Sequence, residues 1–226
     1  MGVDEIEISA LVFAMFVFHA RASWFDLTQS KRVNQTRLSQ ARAAVAKLGE
    51  VHPVAQLRVF ASLCARLKDC SASEKRALLS DVAVVMDLDG RRSFYEWCCW
   101  VVLVEGLSRR EAVRESVHYQ QLQAELARVL GFLACAFAQS PEKAEAIFTW
   151  LCERSLPIKG AGFEWVDWRQ AEGWRRLRAD LLTLRGLKRS FAEMLLVGLE
   201  EGLASLEQPN LQAIFAFELV QILLRE

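Results

Sequence analysis

Asp87-Leu88-Asp89-Gly90-Arg91-Arg92-Ser93-Phe94-Tyr95-Glu96 reads as a tight junction between two helices. Apolar residues at helical spacing lead into it: Leu78, Leu79, Val82, Val85 and Met86. They resume directly after it as Phe94, Trp97, Cys98, Val101, Leu103 and Val104. Gly90 suits the left-handed residue that closes a helix, because it has no Cβ to clash there. Ser93 and Glu96 stand at capping-box spacing, so each side chain can take a free backbone N–H of the next helix.

The same punctuation recurs outward along the chain. Ser71 and Glu74 predict the start of the helix that ends at Gly90. Gly106 predicts the end of the helix begun at Ser93, and Ser108 with Glu111 predicts another start. Upstream, Leu57, Phe60, Cys64 and Leu67 form a helical stripe opening near Pro53, a residue tolerated in a first turn. Downstream, residues 111–139 read as one amphipathic segment with a bend near Gly131, and Ser140-Pro141-Glu142 opens a helix ending near Leu156. Pro157, Gly160 and Gly162 mark the clearest loop. Two further helices are expected, from Leu181 to Ser205 and from Pro209 onward. The fold class that follows is all-α, a multi-helix bundle with short antiparallel connections. The expected division is 1–156 and 157–226, the two parts packed as one globular body.

Composition agrees. The chain has 226 residues, of which 53% are hydrophobic, with only 4 prolines and 11 glycines. That supports a real core and long helices. Lys plus Arg equals Asp plus Glu at 28 each, which leaves no global field to attract nucleic acid. The first residues, Asp4, Glu5 and Glu7, are acidic where a secretory leader would be basic. The apolar run Ile8–Phe18 is about half the ~20 residues a membrane span needs, so it reads as a buried helix. Cys64, Cys70, Cys98, Cys99, Cys135 and Cys152 form no Cys-x-x-Cys pair and read as free thiols of a reducing compartment.

The junction also suggests a metal. With Gly90 at position six of a calcium loop, Glu96 falls at twelve, Asp89 at five and Asp87 at three. Position one is then Val85, which cannot ligate. Asp87, Asp89 and Glu96 are therefore the candidate metal ligands. Helix capping accounts for the same residues, because Ser93 and Glu96 hold free N–H groups and the carboxylates favour a helix N-terminus. Elsewhere catalytic motifs are missing. His19, His52 and His118 form no His-Glu-x-x-His or His-x-x-x-His, and no nucleophile elbow or phosphate loop occurs. The cluster Arg169, Arg175, Arg176, Arg178, Arg185, Lys188 and Arg189 is interrupted by Glu172 and Asp180, as a solvated helix face would be. Trp165, Trp168 and Trp174 beside the loop, with Phe13 and Phe16 of the first apolar helix, are the candidate partner-binding residues.

A weak internal repeat is visible. Glu74-Lys75-Arg76-Ala77-Leu78-Leu79, then Asp87-Leu88-Asp89-Gly90, then Glu96 is echoed by Leu187-Lys188-Arg189, Leu195-Leu196, Glu207-Gln208-Pro209-Asn210 and Glu218. The second copy is about five residues longer and lacks Asp-x-Asp-Gly. The Leu-Leu, Asp-Gly, Ser and Glu order resembles the tellurite-resistance TerB-like helical module. Nearly the whole chain resembles the C-terminal cytosolic region of bacterial membrane zinc metalloproteases of the CAAX prenyl protease and heat-shock membrane protease class. The stretches that carry this are Ala10–Met15, Ser93–Trp97, Val129–Ala134, Ala144–Phe148, Leu184–Lys188 and the Glu218 helix. The resemblance implies two TerB-like halves and a cytosolic, non-catalytic interaction or regulatory module. Its partner would be a protein, the membrane protease region itself, which would place it at the inner face of the membrane. A divalent-metal sensor at the Asp-x-Asp-Gly junction is the alternative. No zinc or catalytic residue of the proteases carries over, because the His-Glu-x-x-His helix has no counterpart in this sequence.

Overall fold

The computed structural model describes residues 7–20, 23–88, 93–108, 117–138, 140–156, 163–165 and 173–225. Among them are eleven α-helices and two short 3-10 turns, and the only β-type pairing is one isolated bridge. The protein is all-α, as expected. None of these helices is long and apolar enough to cross a membrane.

The chain forms two compact units, 1–110 and 111–226. The first contains α1 (Ile8–Ala20), α2 (Trp24–Gln29), α3 (Gln35–Leu48), α4 (Pro53–Arg66), α5 (Ala72–Asp87) and α6 (Phe94–Leu107). A 3-10 turn, Leu67–Asp69, follows α4. In this unit α1 is the central element, packed against α3, α4, α5 and α6. Its sequence requires that. Ala10 and every residue from Val12 to Val17 are buried, so apolar side chains point in all directions. A helix apolar all round needs neighbours all round. Phe16 meets the Phe60 ring of α4 edge-on at 5.7 Å. Each such side chain contributes ~2–3 kcal/mol by leaving water.

Both capping boxes form. Ser71 Oγ accepts the Glu74 N–H while Glu74 Oε2 accepts the Ser71 N–H at 2.8 Å. Ser93 and Glu96 repeat this at the start of α6, with the reciprocal bond at 2.7 Å. Gly106 has a different role from the one expected. It lies inside α6, which runs on to Leu107, and a Cβ there would sit 2.8 Å from Cys64 Cβ. The missing side chain lets α4 approach, and does not end the helix. Gly90 and Glu111, expected as cap residues, lie outside the described residues.

Burial decides one titration in this unit. His19, near the end of α1, stacks on Tyr95 of α6 at 5.6 Å and meets Phe18 edge-on. Desolvation lowers its pKa to about 4. Between pH 6.5 and 4 the unfolded chain therefore binds a proton that the folded chain refuses, so stability rises with pH across that window. The contribution is complete above pH 6.5 and falls away as pH drops toward 4, by about 3 kcal/mol in all. His19→Phe should flatten that part of a urea-stability profile relative to the natural chain. An unchanged slope would show that His19 titrates normally.

The second unit contains α7 (Gln123–Phe137), α8 (Pro141–Ser155), α9 (Gly173–Leu184), α10 (Arg189–Ala204) and α11 (Leu211–Arg225), with a 3-10 turn at Tyr119–Gln121. Here α7 packs against α8, α9 and α11, and α10 against α8 and α11. The two compact units meet at 110/111, and within the second α8 packs against both α7 and α10. Residues 111–139 are not one helix. Among the described residues of this segment the α-helix is confined to Gln123–Phe137, after a 3-10 turn at Tyr119–Gln121, and it runs unbroken through the buried Gly131. The expected helix from Leu181 to Ser205 is divided as well. The Val117 N–H donates to the Gly186 carbonyl at 2.6 Å, and Lys188 N–H donates back to the Val117 carbonyl at 3.2 Å. This parallel bridge holds residues 185–188 out of helix between α9 and α10. The two copies of the sequence repeat fall on helix pairs packed differently: α10 lies on α11, whereas α5 and α6 each lie on α1.

Candidate functional site

The described residues singled out from the sequence are divided between the units, with Asp87, Glu96, Phe13 and Phe16 in the first and Trp165 and Trp174 in the second. Asp87 is exposed at the last turn of α5, and Asp89 lies outside the described residues. Glu96 is 1% exposed and engaged in the capping box of α6. Among the described residues no group of three or more His, Cys, Asp or Glu side chains is placed to hold a metal. Phe13 and Phe16 have no exposed surface, so they are core side chains and not the surface contacts expected of them. Trp165 is half-buried against the Phe148 ring of α8, centroids 5.4 Å apart. Trp174 is half-buried at the start of α9, and Trp168 lies outside the described residues.

The buried ionisable groups are largely structural. The Asp180 carboxylate of α9 takes Arg128 of α7 through two bonds, Nε at 2.6 Å and Nη2 at 2.9 Å. In the first unit Arg37 of α3 pairs with Asp81 of α5, and Asp81 Oδ1 also accepts the Asn34 N–H at 3.2 Å. Asn34 Oδ1 in turn accepts the Arg37 N–H, so the acid pins the first turn of α3. Four of the six thiols are suppressed by their environment. Burial raises Cys64, Cys98 and Cys99 well above the usual range and pushes Cys152 up to about 12. A protonated buried thiol is a poor nucleophile.

Two features of the first unit remain open to a partner. One is a cavity of about 560 Å³. The first turn of α1, α3, the end of α4, the start of α5 and the end of α6 enclose it. Leu67, Leu78 and Leu107 give it a buried apolar floor, widened by Ile8 and Leu11. Arg37, Arg66, Lys75, Glu7, Glu74, Ser9 and Cys70 supply the polar lining. The volume is in the range of small-ligand sites. The other is α2. Ser23 caps it by accepting the Asp26 N–H, and the Arg42 guanidinium lies over the Trp24 ring at 6.0 Å. This anchors a short helix that leaves Phe25 71% exposed.

Neither feature was read from the sequence. The cavity is assembled from residues up to 100 positions apart, Glu7 to Leu107, which no local pattern reports. The pair Trp24-Phe25 was visible as two adjacent aromatics behind a serine, a signal for a short capped helix with one ring turned outward. Compared with protein-family models, with curated proteins and with solved structures, the chain matches none.

Proposed function

We propose that this chain is a non-catalytic interaction and regulatory module that engages a protein partner. The observation that carries this reading is Phe25. A large aromatic ring 71% exposed on a capped, side-chain-anchored helix is poised for burial in a partner, and aromatic anchors of this kind dominate interface energetics. The engagement of buried charges in helix-to-helix pairs and the suppressed thiols of Cys64, Cys98, Cys99 and Cys152 support a binding role over a chemical one. The resemblance to the C-terminal region of membrane zinc metalloproteases nominates the protease region as the partner.

The test places a photoreactive phenylalanine at position 25 in living cells, with exposed Glu200 as the control position. A discrete crosslinked species from position 25 alone is expected. Crosslinks from both positions, or from neither, would overturn the reading. Phe25→Ser should abolish the partner complex while changing stability by no more than about 0.5 kcal/mol, as for an ordinary surface substitution.

A further inference from the structure

We propose that the cavity of the first unit binds a carboxylate carried on an apolar body, with Arg37 and Lys75 as the groups that take the anion. The argument starts from Arg37. It is only 9% exposed, yet it lines the cavity. One Nη1 donor goes to Asp81, and Nε reaches Ser9 Oγ at 3.4 Å. The guanidinium has five N–H donors, so three have no partner among the described residues. None of these three is sealed from water, so solvent meets them until the acceptor of a ligand replaces it. A guanidinium is a planar fork that matches the two oxygens of a carboxylate.

Lys75 strengthens the case. Its ammonium rests on two backbone carbonyls, Lys68 and Leu107, the latter at 3.4 Å, and on no carboxylate among the described residues. Its positive charge is therefore uncompensated by any anion there. Arg66 adds a third cation at the exposed rim, also without a described partner. The two acids of the lining are also exposed, where water screens them. Both already accept a bond, Glu7 from Ser9 Oγ–H at 3.3 Å and Glu74 from the Ser71 N–H. Asp81 already balances Arg37, so Lys75 is the half-buried cation of the lining with no described carboxylate on it, while Leu67, Leu78, Leu107, Ile8 and Leu11 form apolar walls. An anionic head with an aliphatic body satisfies both. A bare phosphate would leave the apolar walls uncovered, and a neutral alkane would leave the guanidinium donors unmatched.

Two sources offer this chemistry: a free medium-chain carboxylic acid, and the C-terminus of a peptide ending in leucines. Titration calorimetry on the whole chain should compare octanoate, octanol, acetyl-Ala-Leu-Leu and the same peptide as its C-terminal amide. Binding of octanoate or of the free-acid peptide, at least tenfold tighter than octanol or the amide respectively, is expected. Whichever acid binds identifies the source. Lys75→Met should weaken that binding about tenfold or more while keeping the aliphatic stem. Cys70→Trp should abolish it by filling the cavity without touching a charge. Equal binding of acid and neutral partner, binding indifferent to both substitutions, or no binding of either acid at millimolar concentration would each overturn the proposal. The outcome is independent of Phe25, whose crosslinking tests a different surface.

Discussion

Asp81→Ala is expected to lower the stability of the first unit by about 3–5 kcal/mol, because it leaves the Arg37 guanidinium buried without its anion. The two side chains are 10% and 6% exposed, so water reaches the orphaned guanidinium only through the cavity it lines and replaces the lost partner poorly. The same change removes the acceptor of the Asn34 N–H at the start of α3. The effect should therefore exceed that of an ordinary surface acid, which lies within about 0.5 kcal/mol. Urea denaturation at neutral pH measures it. The control is the double variant Arg37→Met with Asp81→Leu, which removes both charges together. It should recover most of the loss, short of about 1 kcal/mol for the unanswered Asn34 N–H. A loss below 1 kcal/mol for the single variant would mean that the pair is solvated and the cavity wall differs from the one described.

Gly198→Ala is expected to destabilise the second unit by about 2 kcal/mol, even though alanine is the better helix former by about 1 kcal/mol. A Cβ on Gly198 would lie 2.7 Å from Ser155 Cα and 3.0 Å from the Arg154 carbonyl oxygen. Those are backbone atoms of α8 and cannot rotate away, so α8 and α10 would have to separate. Gly202, one turn on, provides the comparison. Its added Cβ would meet the Trp150 ring and the end of Leu151, at 2.8 and 2.9 Å, and these side chains can shift. Gly202→Ala should therefore cost clearly less. Thermal and urea unfolding of the two variants side by side settle the order. A stabilised Gly198→Ala chain would show that the helices do not touch there.

What was legible in the sequence was the local chemistry. The capping boxes at Ser71/Glu74 and Ser93/Glu96 formed as read, since a cap depends on residues three apart. The apolar Ile8–Phe18 stretch proved to be a buried helix, because its composition excludes a solvated face. The misreadings all involve partners distant in the chain. A glycine that closes a helix and one that admits a neighbouring helix look alike in sequence, and only Cys64 distinguishes Gly106 as the second kind. The interruption between α9 and α10 depends on Val117, seventy residues before Leu187. Helix α3, which supplies Arg37, buries a stripe of Leu38, Ala41, Ala44 and Leu48, and its two alanines make that stripe faint in a polar sequence. The candidate site followed the same rule. Arg37 and Asp81 are 44 residues apart, and neither looks unusual until α3 and α5 meet.

The central position of α1 also bears on how the chain is made. This helix is translated before α3, α4, α5 and α6, the four helices that cover it. From the end of α1 at Ala20 to the end of α6 at Leu107 the ribosome must add nearly ninety residues, a delay on the order of ten seconds. During that interval the most apolar segment of the first unit gains its covering helices one by one and is fully covered only once α6 is made. A nascent chain that ends before α6 still exposes part of α1, an apolar surface of the kind that drives aggregation.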